Sequence, residues 1–145
     1  MTNLSFRRAV SADIPAMQVI RLAVKENVLN NPARVPAQMY EDYLAQLGRG
    51  WVCEEQGKII GFSYAASADA SIWALFVSPD AEGKGAGAPL LKLASDWLFN
   101  QGHQKVTLGT EANTRADRFY AKQGWTRGEM KDAIEVFYTL ERPQE

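Results

Sequence analysis

The chain has 145 residues, 46% of them hydrophobic and 23% charged, with a formal net charge of -1. That suffices for one domain with a sizeable core and is too short for two ordinary ones. Near-neutral charge excludes the basic footprint of a nucleic-acid binder, so a phosphate-bearing ligand would need local donors.

A single cysteine, Cys53, leaves no internal disulfide and agrees with a reducing compartment. The N-terminus has no apolar h-region, and no apolar run reaches membrane-spanning length. The expectation is a cytoplasmic protein forming one domain over 1–145, with neither nucleic acid nor membrane as partner.

In chain order, Leu4 to Val10 alternates as a first strand. Ser11 is a suitable N-cap for a helix carrying Ile14, Met17, Ile20 and Val24 at helical spacing, and Asn30-Asn31-Pro32 breaks it. Pro36 can open a second helix with Met39, Tyr43, Leu44 and Leu47 on one face and Gly48 past its end. Trp51 to Glu55, the turn Gln56-Gly57-Lys58, and Ile59 to Ala66 read as a hairpin. A turn at Asp69-Ala70 leads into Ile72 to Val77, an apolar run suited to a buried central strand.

After a glycine-rich turn, Leu90, Leu91, Ala94, Trp97 and Leu98 mark a helix ended by Gly102. A strand from Lys105 to Gly109, a short helix from Ala116 to Gln123, and strands from Trp125 to Met130 and Ile134 to Leu140 complete the chain. The order β-α-α-β-β-β-α-β-α-β-β predicts an α/β (α+β-like) fold: a mixed, mostly antiparallel sheet of about seven strands with helices on both faces.

The turn is Glu82-Gly83-Lys84-Gly85-Ala86-Gly87. A strand that passes through glycines into a helix suits phosphate, because the first helical N–H groups are unpaired and lie at the positive end of the helix dipole. Glycines remove Cβ atoms that would hold a pyrophosphate off the main chain. Pro89 can start the helix without wasting a donor, and Lys84 can add charge. On glycine spacing alone, a turn that merely needs tight geometry explains the pattern as well. A P-loop would need Ser or Thr after Gly83-Lys84, and a Rossmann turn would need G-x-G-x-x-G inside a βαβ unit; neither is present.

These residues, in their order, resemble the GNAT superfamily of acyl-CoA-dependent N-acetyltransferases over nearly the whole chain. Leu75 to Pro79 looks like that family's fourth strand and following proline. Glu82 to Gly87 looks like its Q/R-x-x-G-x-G/A loop. Asn113, Ala116, Phe119, Tyr120, Gly124 and Trp125 match its N-x-x-A-x-x-F-Y-x-x-x-G-F/W pattern, and Glu55 to Gly61 looks like its β2–β3 hairpin.

The resemblance implies acetyl-CoA as co-substrate; no metal is expected, because no His, Cys or carboxylate cluster has metal-ligand spacing. Main-chain groups of Leu75, Phe76 and Val77 would pair with the pantetheine arm, those of Gly83, Lys84, Gly85, Ala86, Gly87 and Ala88 would hold the pyrophosphate, and Asn113 would bond the arm. Tyr120 would protonate the departing thiolate. The implied reaction moves an acetyl group to a primary amine, of a small molecule or of a protein or peptide, by direct attack in a ternary complex. Many members pair through their C-terminal strands, which makes a homodimer one expected state.

Two departures stand out. Glu82 replaces the usual Gln or Arg, and Trp73 stands where many members carry a carboxylate base. Glu111 is the replacement base expected here, ahead of Glu54, Glu55 and Glu26, since an amine near pKa 10.4 must lose a proton before attack. Arg21, Glu26, Asn27, Trp73 and Tyr138 are expected at the acceptor pocket, with Trp51 and Tyr64 as further aromatics. His103 reads as a surface residue and Cys53 as a small buried hydrophobe. A non-catalytic acyl-CoA-binding or regulatory module is the alternative, and a structural domain whose turn binds nothing is a third.

Overall fold

The computed structural model describes residues 3–28 and 34–143. Seven strands form one sheet in the order β1-β2-β3-β4-β5-β7-β6. They are β1 (Leu4–Arg8), β2 (Gly48–Glu55), β3 (Lys58–Ala66), β4 (Ser71–Val77), β5 (Lys105–Glu111), β6 (Thr126–Met130) and β7 (Glu135–Glu141). The helices are α1 (Ile14–Ala23), α2 (Ala37–Ala45), α3 (Gly87–Asn100) and α4 (Arg115–Lys122). All neighbours are antiparallel except β4 and β5. The expected element order and mixed α/β class both hold.

Each sheet face carries its own core. Met17 and Ile20 of α1 and Tyr40 and Leu44 of α2 bury against Val52, Phe62, Tyr64 and Ala74. On the other face, Leu90, Leu91, Ala94 and Leu98 of α3 and Tyr120 of α4 pack with Cys53, Ile60, Val106, Leu108, Val136 and Tyr138.

Local chemistry explains the boundaries. Gln56 and Gly57 both have positive φ (51° and 80°), the conformation of the tight two-residue hairpin turn. Gly48 lies past the end of α2, as expected, and opens β2, where a Cβ would lie 1.8 Å from the Ala65 carbonyl oxygen, so only glycine fits. The predicted N-cap role of Ser11 is not realised: a single 3-10 turn, Ser11–Asp13, precedes α1. The Asp13 carboxylate takes the Val10 N–H at 2.8 Å, whereas the Ser11 hydroxyl donates to Glu41. The α2 periodicity reads the wrong tyrosine as buried, since Tyr40 is 2% exposed while Tyr43 is only partly covered. The Asn30-Asn31-Pro32 breaker lies outside the described residues, and α1 ends earlier, at Ala23.

Candidate functional site

The site begins with a fault in the sheet. On β3, Tyr64 pairs with Ala74 and Ala65 with Ile72, so Trp73 has no partner and forms a bulge in β4. Beyond it β4 leaves its parallel neighbour. The two strands share one register pair, Ser71 with Thr107, closed by the Thr107 N–H to the Ala70 carbonyl at 3.0 Å. The edge of β4 from Leu75 to Val77 that faces β5 therefore has no strand beside it, although β3 pairs with its other edge.

The glycine turn closes the end of this gap. Gly83 and Gly85 have φ of +83° and +86°, where a side chain is strained although the space around both is open. Ala86 caps α3 without any side-chain hydrogen bond. Among the described residues, the N–H groups of Gly85, Gly87 and Ala88 have no protein acceptor. At Gly87 the constraint is space instead, because a Cβ would stand 3.3 Å from the Phe119 ring of α4.

The charges around the turn are arranged differently from expectation. Lys84 donates to Glu55 of β2 at 2.7 Å, so its ammonium is already engaged. Glu82 is met by Arg115 of α4 at 2.6 Å, a partner that sequence reasoning missed.

Helix α4 is held at its start with unusual redundancy. Thr114 is its N-cap and accepts from the Asp117 N–H, while its hydroxyl donates to the Glu111 carbonyl at 2.7 Å. The buried Asp117 carboxylate takes the Asn113 N–H at 2.8 Å, two guanidinium bonds from Arg127 and the Tyr138 hydroxyl. Arg127 foremost, with the Tyr138 and Asn113 bonds, holds Asp117 well below the usual carboxylate range against the opposing effect of burial. The spacing Thr114-x-x-Asp117 is a helix-start signal legible in the sequence, although the carboxylate takes the N–H of Asn113 and not that of the N-cap. Asn113 takes a positive φ of 64° and exposes its side chain. Tyr120 lies between Phe119, Trp125 and Tyr138, at centroid distances of 5.3, 6.2 and 5.6 Å. Its burial raises the phenol above its ordinary value, which keeps it protonated at neutral pH.

Glu26 and Asn27, expected from the sequence at an acceptor pocket, are structural clasps. The Glu26 carboxylate accepts the Arg115 and Ala116 N–H groups at 2.9 and 3.1 Å, which places an anion at the positive end of α4. Asn27, at φ 55°, accepts the Glu111 N–H at 2.7 Å and donates to Thr110 at 3.2 Å. Its carbonyl is taken by Arg21 at 2.8 Å, and the Arg21 guanidinium lies 4.3 Å from the centre of the Phe76 ring. Glu26 thus has its carboxylate engaged and is poorly placed to act as a base.

Trp73 stacks on Tyr43 at 4.6 Å and meets Tyr40 and Tyr64 edge-on. Tyr138 and Tyr64 are fully buried, and Trp51 is buried against α3. The three are core residues, Tyr64 on the α1 and α2 side of the sheet and Trp51 and Tyr138 on the α3 side. Glu111, half-buried at the end of β5, has no side-chain partner among the described residues. Since Val106 and Leu108 face the α3 side, strand alternation turns Glu111 to the opposite face from Tyr120. Cys53 is buried and its thiol is pushed up to about 11, chiefly by burial. His103 follows α3, at the other end of β5 from Glu111.

The family model for the Acetyltransferase (GNAT) family matches residues 17–125. The chain belongs to this family. It is 34% identical over 100 residues to the uncharacterized N-acetyltransferase YhfO of Bacillus subtilis (strain 168), covering 63% of this chain and 65% of that protein. It is 29% identical over 107 residues to the mycothiol acetyltransferase of Pseudarthrobacter chlorophenolicus, covering 68% of this chain and 33% of that one. The chain thus spans less than two thirds of the length of either relative. Among solved structures it is similar to yncA of Salmonella typhimurium with its cofactor acetyl-CoA, with a TM-score of 0.75, 21% identity, and coverage of 99% of this chain and 96% of that one. That likeness speaks to the fold.

Proposed function

We propose that the chain is an acetyltransferase that moves an acetyl group from acetyl-CoA to the primary amine of a small molecule, by direct attack while both substrates are bound. The observation that carries this reading is the gap beside β4, bounded by the free edge of Leu75 to Val77, the glycine turn and the start of α4. An extended arm would add to the free edge at Leu75, Phe76 and Val77 as a further strand. The pyrophosphate would lie on the main-chain donors of Gly83 to Ala88, and Asn113 would bond the arm from the other side.

When bound, acetyl-CoA supplies an activated thioester carbonyl. Glu111, on the α1 side of the gap, would take the proton from the incoming ammonium directly or through a water, freeing the nitrogen lone pair. As the C–N bond forms and the C–S bond breaks, the Tyr120 hydroxyl would give its proton to the leaving sulfur. A free thiol has a pKa near 8.5, so the anion leaves poorly at neutral pH without such a donor. The opposite facing of Glu111 and Tyr120 supports this division, with amine and leaving group approached from different sides of the sheet. One domain over 1–145 in the cytoplasm is part of the same reading.

Trp73, in the aromatic cluster where many relatives hold a carboxylate, favours a second reading: a binding module without catalysis. Calorimetry with acetyl-CoA, followed by thiol release across a panel of small amines, separates the two. Binding with turnover of an amine is the expected result. Binding without turnover of any amine selects the module, and absence of binding defeats both.

A further inference from the structure

We propose that Arg115 is a phosphate ligand of the acyl-CoA, a cation supplied from α4 because position 82 carries a carboxylate. The inference rests on the acyl-CoA reading above. A glutamate at the entrance of a phosphate-holding turn is electrostatically adverse, and something must neutralise it. Lys84 is engaged by Glu55 at 2.7 Å. The cation that meets Glu82 is Arg115, at 2.6 Å. Its main chain is fixed by the Glu26 carboxylate on its own N–H and that of Ala116, so the guanidinium is carried on an anchored helix start. One nitrogen, Nη1, serves Glu82. A guanidinium has five N–H donors in a planar fork, so the remaining ones can serve a phosphate oxygen at the same time. The side chain is 58% exposed, so it is accessible to a ligand and contributes little to the core.

The test compares acetyl-CoA with acetyl-pantetheine, which has the same arm and thioester and no phosphates, by calorimetry on the full chain. Arg115→Ala is expected to weaken acetyl-CoA by about five- to tenfold while acetyl-pantetheine moves by less than about twofold. Glu82→Gln, which removes the competing charge, is expected to tighten acetyl-CoA by about two- to threefold, and Arg115→Lys to restore part of the loss. The salt dependence of acetyl-CoA binding should flatten in Arg115→Ala. Equal weakening toward both ligands, no change in Arg115→Ala, or weaker acetyl-CoA binding in Glu82→Gln would each overturn the assignment. If the unaltered chain binds neither ligand, the acyl-CoA reading itself fails, a result distinct from a loss of discrimination.

Discussion

Tyr120 and Asp117 show how differently two buried polar groups on one short helix can act. The Tyr120 hydroxyl has no acceptor among the described residues, and burial keeps its proton in place. Tyr120→Phe should therefore preserve the fold and lower kcat by about 10²-fold, with acetyl-CoA affinity nearly unchanged. Steady-state turnover alongside calorimetry checks this, and unchanged kcat would remove the acid role. Asp117 instead meets four residues, Asn113, Thr114, Arg127 and Tyr138. Asp117→Ala should cost about 1–3 kcal/mol by removing the shared acceptor of the Arg127 guanidinium and the Asn113 N–H, read by urea denaturation. The Tyr138 hydroxyl keeps the main-chain carbonyl of residue 117 at 2.7 Å. Activity measured under folding conditions should fall as well, since Asn113 and Tyr120 are positioned by the same helix.

At the scale of elements, the site depends on where regular structure stops. The Trp73 bulge ends the β4–β5 pairing, and two left-handed glycines turn the chain into α3. Gly85→Ala forces a methyl group into a φ of +86° without any clash, so the cost is conformational, about 1–2 kcal/mol. A relaxed turn would misalign its N–H groups. The variant should lose acetyl-CoA affinity by about tenfold or more while remaining folded, measured by calorimetry and circular dichroism. Gly48→Ala makes a contrast: a Cβ 1.8 Å from the Ala65 carbonyl cannot be accommodated, so the loss falls on β2–β3 pairing and global stability.

For the whole molecule, ionisation sets the pH range of stability. Hydrogen bonding to Arg7 lowers Asp13, and hydrogen bonding to Arg127 lowers Asp117. Groups with depressed folded values stabilise fully above the unfolded carboxylate value, about 3.9, and that stabilisation is lost as pH falls through the folded values. Tyr64, Tyr120 and Tyr138 are raised mainly by burial, Tyr138 to about 12. Their contribution is complete below the unfolded tyrosine value, about 10, and declines as pH climbs toward the folded ones. Melting temperature should therefore be flat from about pH 5 to 9 and fall on both sides, and Asp117→Asn should flatten the acid limb. An acid limb identical in that variant would exclude Asp117 as its source.

The sequence by itself determined the element order, the mixed sheet and the family, because hydrophobic period, glycine punctuation and the motif around Asn113 and Tyr120 are local properties written along the chain. It also marked Glu82 and Trp73 as departures. What covers those departures was decided only by the tertiary structure. Arg115 reaches Glu82 across 33 positions, Lys84 turns to Glu55 across 29, and Glu26 caps a helix that starts 89 positions later. The assignment of Tyr138 to the core followed from which face of β7 it occupies, which depends on register with β5. Charge pairing and strand facing are relations between distant segments, and a one-dimensional reading contains the partners but not their meeting.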